Sequence, residues 1–209
     1  MNPLLVRTLT DIPQIKLDPP ELTHHPEWLV TNGLGGYASG TISGAMTRRY
    51  HGLLIAAFPA PLGRMLLLSD LNEEVHFPDG RFVQLSTRYG DSAGATARLI
   101  EFRLEMGLPV WRYQIDDWMI EKWLHLPYRQ NTVFITYKPF ACPDGIRLKL
   151  RPLMQYRGHS DDVDAQPEDP YVLSVLEDQY QISTGNLPPL RLLLYGRGEF
   201  VIDRKKIEK

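Results

Sequence analysis

An all-β fold, a large antiparallel β-sandwich, is predicted for this 209-residue chain by three observations. Apolar runs of strand length recur along it, several of them alternate with polar residues at a period of two, and turn residues separate them at the short spacing of a sandwich. Apolar spacing of the helical kind is almost absent.

The elements follow in order. Residues 1–26 are rich in proline and lack periodicity, so they read as an arm leading into the fold, with room for one edge strand. Tyr50–Ala57 and Met65–Ser69 are apolar runs suited to buried strands, and Phe77-Pro78-Asp79-Gly80-Arg81 carries the Asp-Gly signal of a hairpin turn. In Ile100–Met106 the residues Phe102, Leu104 and Met106 share one face and Glu101, Arg103 and Glu105 the other. Ile146–Arg151 repeats that alternation, which predicts that one face of each sheet is wet. Between these two segments, Val110–Ile115, Met119–Leu126 and Thr132–Tyr137 read as further strands. From His159 to Pro170 the chain is acidic and poor in apolar groups, a surface loop. Strands resume at Tyr171–Val175, Tyr180–Ser183, Arg191–Tyr195 and Glu199–Ile202. The domain is therefore expected to cover 27–203, with 204–209 a charged tail. No internal repeat is visible.

Composition narrows the function. A formal charge of -2 without a basic patch argues against a nucleic-acid surface. The single cysteine, Cys142, excludes an internal disulfide framework and has no local basic partner that would make it a nucleophile. The first thirty residues lack a signal-peptide pattern, and no apolar run approaches the roughly 20 residues that cross a bilayer. A protein without membrane partners, located in the cytoplasm, is expected. Asp161, Asp162, Asp164, Glu168 and Asp169 lack the rhythm of a calcium loop, and the histidines lack metal-ligand spacing, so neither metal nor cofactor is expected. The tryptophans Trp111, Trp118 and Trp123 read as core filling, with a sugar-stacking platform as the alternative.

The segment from Glu27 to Ala57 concentrates the chemistry. Its glycines, among them Gly35 and Gly36, relax the backbone, and Arg48, Arg49, Tyr50 and His51 follow directly. On an extended strand Arg48 and Tyr50 share one face and Arg49 and His51 the other, so one pair is expected to face a cleft. Guanidinium, phenol and imidazole grip sugar hydroxyls and ring faces. The plainer alternative is a bulged edge bearing a surface cation–π pair. A phosphate cradle is excluded, because neither a Gly-Lys-Ser/Thr ending nor a strand–turn–helix pattern is present.

The string TNGLGGYASGT followed by TRRYHGLL resembles the amino-terminal domain of bacterial and archaeal glycogen debranching enzymes of the amylo-α-1,6-glucosidase type. The match runs through Trp28, Asn32, Gly33, Gly35, Gly36, Tyr37, Gly40 and Thr41, then Arg48 to Leu53. Weaker echoes occur at Asp70–Glu74, Trp111–Leu126, Gln130–Val133 and Arg151–Leu153, and at Arg157 and His159. Where the family tends to carry an Arg-Asp-x-His-like run, this chain reads Arg157, Gly158, His159, Ser160.

The resemblance implies the large supersandwich that packs against an (α/α)6 catalytic barrel in glucoamylase-like glycosidases. The charged tail is then expected to lead toward such a barrel, which this chain does not contain. Hydrolysis needs two carboxyl groups flanking the bond. The adjacent pairs Glu73/Glu74 and Asp116/Asp117 point apart on a strand, so no catalytic residue is expected here. Asn32, Gly35, Gly36, Tyr37, Arg48, Arg49, Tyr50 and His51 are expected to contact either an α-glucan such as glycogen or branched dextrin, or the barrel itself. A free-standing glucan-binding module and a purely structural scaffold remain the alternatives.

Overall fold

The computed structural model of the protein describes residues 7–10, 26–85, 95–176 and 179–201. Strands and loops make up all of it; no helix occurs among the described residues, so none is long and apolar enough to cross a membrane. The chain gathers into two compact units, Met1–Gln166 and Pro167–Lys209.

The first unit contains two sheets. One runs in the order β1 (Arg7–Thr10), β8 (Arg98–Glu105), β9 (Leu108–Ile115), β10 (Trp118–His125), β11 (Phe134–Phe140), antiparallel throughout. The other runs β2 (Glu27–Thr31), β3 (Tyr37–Thr41), β4 (Gly52–Ala57), β5 (Arg64–His76), β6 (Phe82–Gln84), β7 (Ala95–Thr96), with only β6 and β7 parallel. Leu66 of β5 pairs with both Ile55 and Arg157, so β12 (Arg147–Gly158) lies along the side of β5 opposite β4. The proline-rich arm thus supplies an edge strand at Arg7–Thr10; residues 11–25 lie outside the described residues.

Turn chemistry sets the hairpins. Phe77 N–H bonds Arg81 O at 2.9 Å around Gly80 at φ +87°, and β5 and β6 pair across it as the Asp-Gly signal predicts. Met106 departs from its expected place. It leaves the strand at φ +51° beside Gly107 at +82°, closes the β8–β9 hairpin and stands 67% exposed. A two-residue hairpin of this hand needs positive φ at both central positions, which overrides the alternation.

The sheets pack through Trp28, set edge-to-face on Trp111 with centroids 5.2 Å apart, while Trp111 Nε1 donates to Ile42 O at 2.9 Å. Trp111 and Trp118 are buried, as core filling requires. Set into this apolar interior is a charged pair: Lys122 Nζ lies 2.7 Å from Glu73 Oε1, which also accepts the Tyr137 hydroxyl. Burial, followed by the charge of Glu73, pushes the Tyr113 and Tyr137 hydroxyls well above their ordinary range.

The outer face of the β8–β10 sheet is not simply wet, contrary to the alternation reading. Glu121 accepts from Arg103 at 3.0 Å and Arg112 at 2.6 Å, Glu101 bridges the same two arginines, and Trp123 Nε1 donates to Glu121 at 3.0 Å. Period-2 patterning assigns a side, but mutual neutralisation and the Trp123 ring beside Arg103 let that side be covered. Burial raises the Glu121 carboxyl, but the hydrogen bonds from Arg103, Arg112 and Trp123 outweigh it and hold it below the ordinary 4.5. A carboxyl depressed on folding stabilises above its unfolded value and loses that contribution as pH falls through its folded one. Urea midpoints measured from pH 7 downward should therefore separate wild type from Glu121→Gln by a constant gap until about pH 4.5, below which the gap narrows.

The second unit is a three-stranded antiparallel meander of β13 (Val172–Leu176), β14 (Gln179–Ser183) and β15 (Leu190–Leu193). Register places Leu173, Ile182 and Leu190 in one cross-strand row. The strand expected at Glu199–Ile202 does not form over Glu199–Val201; Phe200 instead rests on the Tyr180 ring at 4.2 Å, and Ile202 lies outside the described residues.

Candidate functional site

The β2–β3 hairpin turns on Asn32, which is fully buried. Its Oδ1 accepts from Leu34 N at 2.9 Å and Gly36 N at 3.0 Å, while its Nδ2 donates to Gln130 O at 2.9 Å and Asn131 Oδ1 at 3.1 Å. Asn131 completes the latch by accepting from Ala57 N and donating to Ala57 O. One amide pair therefore ties the glycine-rich loop to the end of β4 and to the β10–β11 connection. Gly36 is required by close approach: a Cβ there would sit 2.7 Å from Asn32 Nδ2 and 2.9 Å from Ile55 O. Gly35, at φ +97°, presents its carbonyl to Arg64 Nε at 2.7 Å. Asn32 and Gly36 thus act within the scaffold, and Gly35 holds a neighbouring cation.

Arg48 to Tyr50 form a turn closed by His51 N–H on Arg48 O at 3.1 Å, and β4 begins only at Gly52. The strand alternation expected for this run gives way to a different division. Arg48 and His51 converge on Glu27, whose Oε1 lies 2.5 Å from Arg48 Nε and 3.6 Å from His51 Nε2. The buried His51 Nδ1 accepts Thr47 N–H at 3.2 Å, which places the ring proton on Nε2 toward Glu27. Burial pulls the His51 pKa down, against the upward pull of Glu27. The Arg48 hydrogen bond holds Glu27 below its ordinary value.

Arg49 and Tyr50 join a second cluster, contributed by the end of β12. Tyr37 hydroxyl donates to Tyr50 O at 3.1 Å and contacts His159 Nε2 at 2.9 Å; Tyr50 stacks on His159 with centroids 4.7 Å apart. The one Tyr37 proton goes to the carbonyl, so His159 Nε2 carries a proton and Nδ1 is left as the acceptor. Burial, then Arg64 and Arg157, lower the His159 pKa, which keeps the ring neutral at pH 7. Arg157, 4% exposed, donates to Arg49 O at 2.7 Å and Asp161 O at 3.2 Å. Arg49 Nη1 donates to Ser160 O at 3.4 Å. Gly158 N donates to Asp161 Oδ2 at 2.9 Å, and a Cβ on Gly158 would meet that carboxylate at 2.6 Å.

Of the residues expected from sequence, Tyr37, Arg49 and Tyr50 gather at this corner, Arg48 and His51 stand together on Glu27, and Asn32 and Gly36 lie within the latch. Sequence reasoning did not single out Arg64, and took Asp161 only as a loop charge; a lone arginine before an apolar run carries no local signal. The tempting acids are engaged singly: Glu73 with Lys122, Glu74 with His76 at 2.9 Å, and Asp116 with Arg81 at 2.6 Å. Burial and then Asp144 push the Cys142 thiol up, away from nucleophilic character. Among the described residues no group of three or more His, Cys, Asp or Glu side chains is placed to hold a metal ion.

The class of protein is thus an all-β sandwich whose arginine- and ring-bearing corner forms where β3, the turn before β4 and the end of β12 meet. The sequence profile described as glycogen debranching enzyme N terminal matches residues 26–209, and the chain belongs to that family. No curated protein and no solved structure matches the chain.

Proposed function

We propose that this chain is the non-catalytic N-terminal domain of a glycogen debranching enzyme that hydrolyses α-1,6-glucosidic branch linkages in glycogen or related α-glucans. In this reading it packs on a catalytic barrel of the same protein and presents the Tyr37–Arg49–Tyr50–His159 corner at the mouth of the pocket. The observation that carries it is the family match across 26–209 together with the convergence of rim residues from β3, the β3–β4 turn and β12 at one corner. Two carboxyl groups facing one bond are needed for hydrolysis, whereas Glu73, Glu74 and Asp116 are each tied to a different basic side chain. Orientation of substrate or of an active-site loop is the contribution such a rim makes.

Arg49→Ala in the debranching enzyme that carries this domain tests the reading. Glucose release from branched limit dextrin should fall about tenfold, equivalent to roughly 1.4 kcal/mol of barrier, with an unchanged unfolding midpoint. Equal loss of stability and activity would instead assign the corner a scaffold role. Free glucose produced by the 209-residue chain alone would refute the non-catalytic assignment.

A further inference from the structure

Beside the stacked rings, the turn after β12 and the start of β5 with Leu62 ahead of it border an open depression of about 390 Å3, lined by Leu62, Arg64, Gly158, His159, Ser160 and Asp161. That volume falls in the roughly 300–1,000 Å3 range of small-molecule sites. Its lining is mixed in charge and more polar than apolar. The Arg64 guanidinium is fixed through Nε on Gly35 O at 2.7 Å, which leaves its terminal nitrogens as donors. The Asp161 carboxylate is fixed through Oδ2 on Gly158 N at 2.9 Å, which leaves Oδ1 as an acceptor. His159, neutral with its proton on Nε2, adds a bare Nδ1, and Ser160 adds a hydroxyl that both donates and accepts.

A ligand for this lining must accept from a guanidinium and donate to a carboxylate at once. An anion meets Asp161, and a cation meets Arg64 with Arg157 buried beyond it. Leu62 is the only aliphatic side chain of the lining, so an apolar group would strip water from Arg64 and Asp161 without replacing it. Hydroxyls do both, and a pair of vicinal hydroxyls on a neutral ring can engage both side chains together. Tyr50, stacked on His159 and 45% exposed, provides a ring edge beside the depression. We infer that this depression binds one hexopyranose unit of a neutral glycan, with Arg64 donating to and Asp161 accepting from adjacent hydroxyls. The inference rests on the reading of the corner given above and adds that the domain itself holds a sugar residue, through Arg64 and Asp161.

Amide NMR titration of the 209-residue protein with maltotriose, with isomaltose and with inorganic phosphate tests it. One or both saccharides should move the amides of Arg64 and of residues 158–161, saturating with a dissociation constant on the order of 1 mM, while phosphate leaves them in place. Asp161→Asn keeps an oxygen for the Gly158 cap, and Arg64→Lys keeps the charge but loses the planar fork. Each should weaken saccharide binding at least about tenfold with the β8–β10 amides of the same unit unmoved, which also reports that this unit is folded in the variant. The inference is overturned if neither saccharide moves these amides at roughly ten times that concentration, if both variants bind as the wild type does, or if phosphate saturates the same amides. Such a result removes the sugar site alone; the domain's place at the pocket mouth is decided separately, by Arg49→Ala turnover in the intact enzyme.

Discussion

Glu73→Ala is expected to lower the unfolding free energy by about 3–5 kcal/mol, read from urea denaturation followed by circular dichroism. Glu73 is 1% exposed, and its Oε1 holds both the Lys122 ammonium at 2.7 Å and the Tyr137 hydroxyl. Truncation leaves an uncompensated, largely buried ammonium and deprives the Tyr137 hydroxyl of its acceptor. Removing both charges is a different experiment. In Glu73→Gln/Lys122→Met the amide oxygen still accepts from Tyr137 and the methionine fills the lysine's volume, so most of the loss should be recovered. Glu73 Oε2 has no hydrogen-bond partner among the described residues, so the native pair is itself imperfectly satisfied. A double variant as unstable as Glu73→Ala would mean that the cost comes from lost packing instead of an unpaired charge.

Asn32→Ala should cost about 2–4 kcal/mol and disorganise the glycine-rich loop. Its four side-chain hydrogen bonds serve two loop N–H groups, the Gln130 carbonyl and Asn131, and alanine deprives the first three of this partner and leaves Asn131 Oδ1 with Ala57 N–H alone. Asn32→Asp separates the two halves of the latch. The carboxylate can still accept from Leu34 N and Gly36 N, but it faces Gln130 O and Asn131 Oδ1 with no proton to offer. It should therefore be destabilised as well, with hydrogen exchange accelerated at Ala57 and Arg129 more than at Gly36. Arg129 is included because its N–H bonds Asn32 O at 2.6 Å. A stable Asn32→Ala protein with slow exchange at Gly36 would show that the latch is dispensable.

The family matched across 26–209 gives the TNGLGGYASGT string a physical reading here. Asn32 and Gly36 stand at fixed spacing because one supplies an amide and the other the space to receive it. Gln130 and Asn131 matter for the same reason, since they close the far side of that amide. Arg157 and His159 bring β12 to the Arg49–Tyr50 turn, so segments more than a hundred residues apart become one corner.

The sequence by itself determined the all-β class, the Asp-Gly hairpin, most strand positions and the need for glycine in the loop between β2 and β3. Those features are local: a period of two, a turn dipeptide and an absent Cβ act on neighbouring residues, so they can be read along one line of text. Only the tertiary structure decided that Arg48–His51 form a turn and divide between Glu27 and His159, that Arg64 and Asp161 border one depression, and that Glu121 and Arg103 on the outer face are covered. Each of these depends on which distant group satisfies a charge or a hydrogen bond, and that partner is fixed by strand register and sheet packing, which no short stretch of sequence encodes.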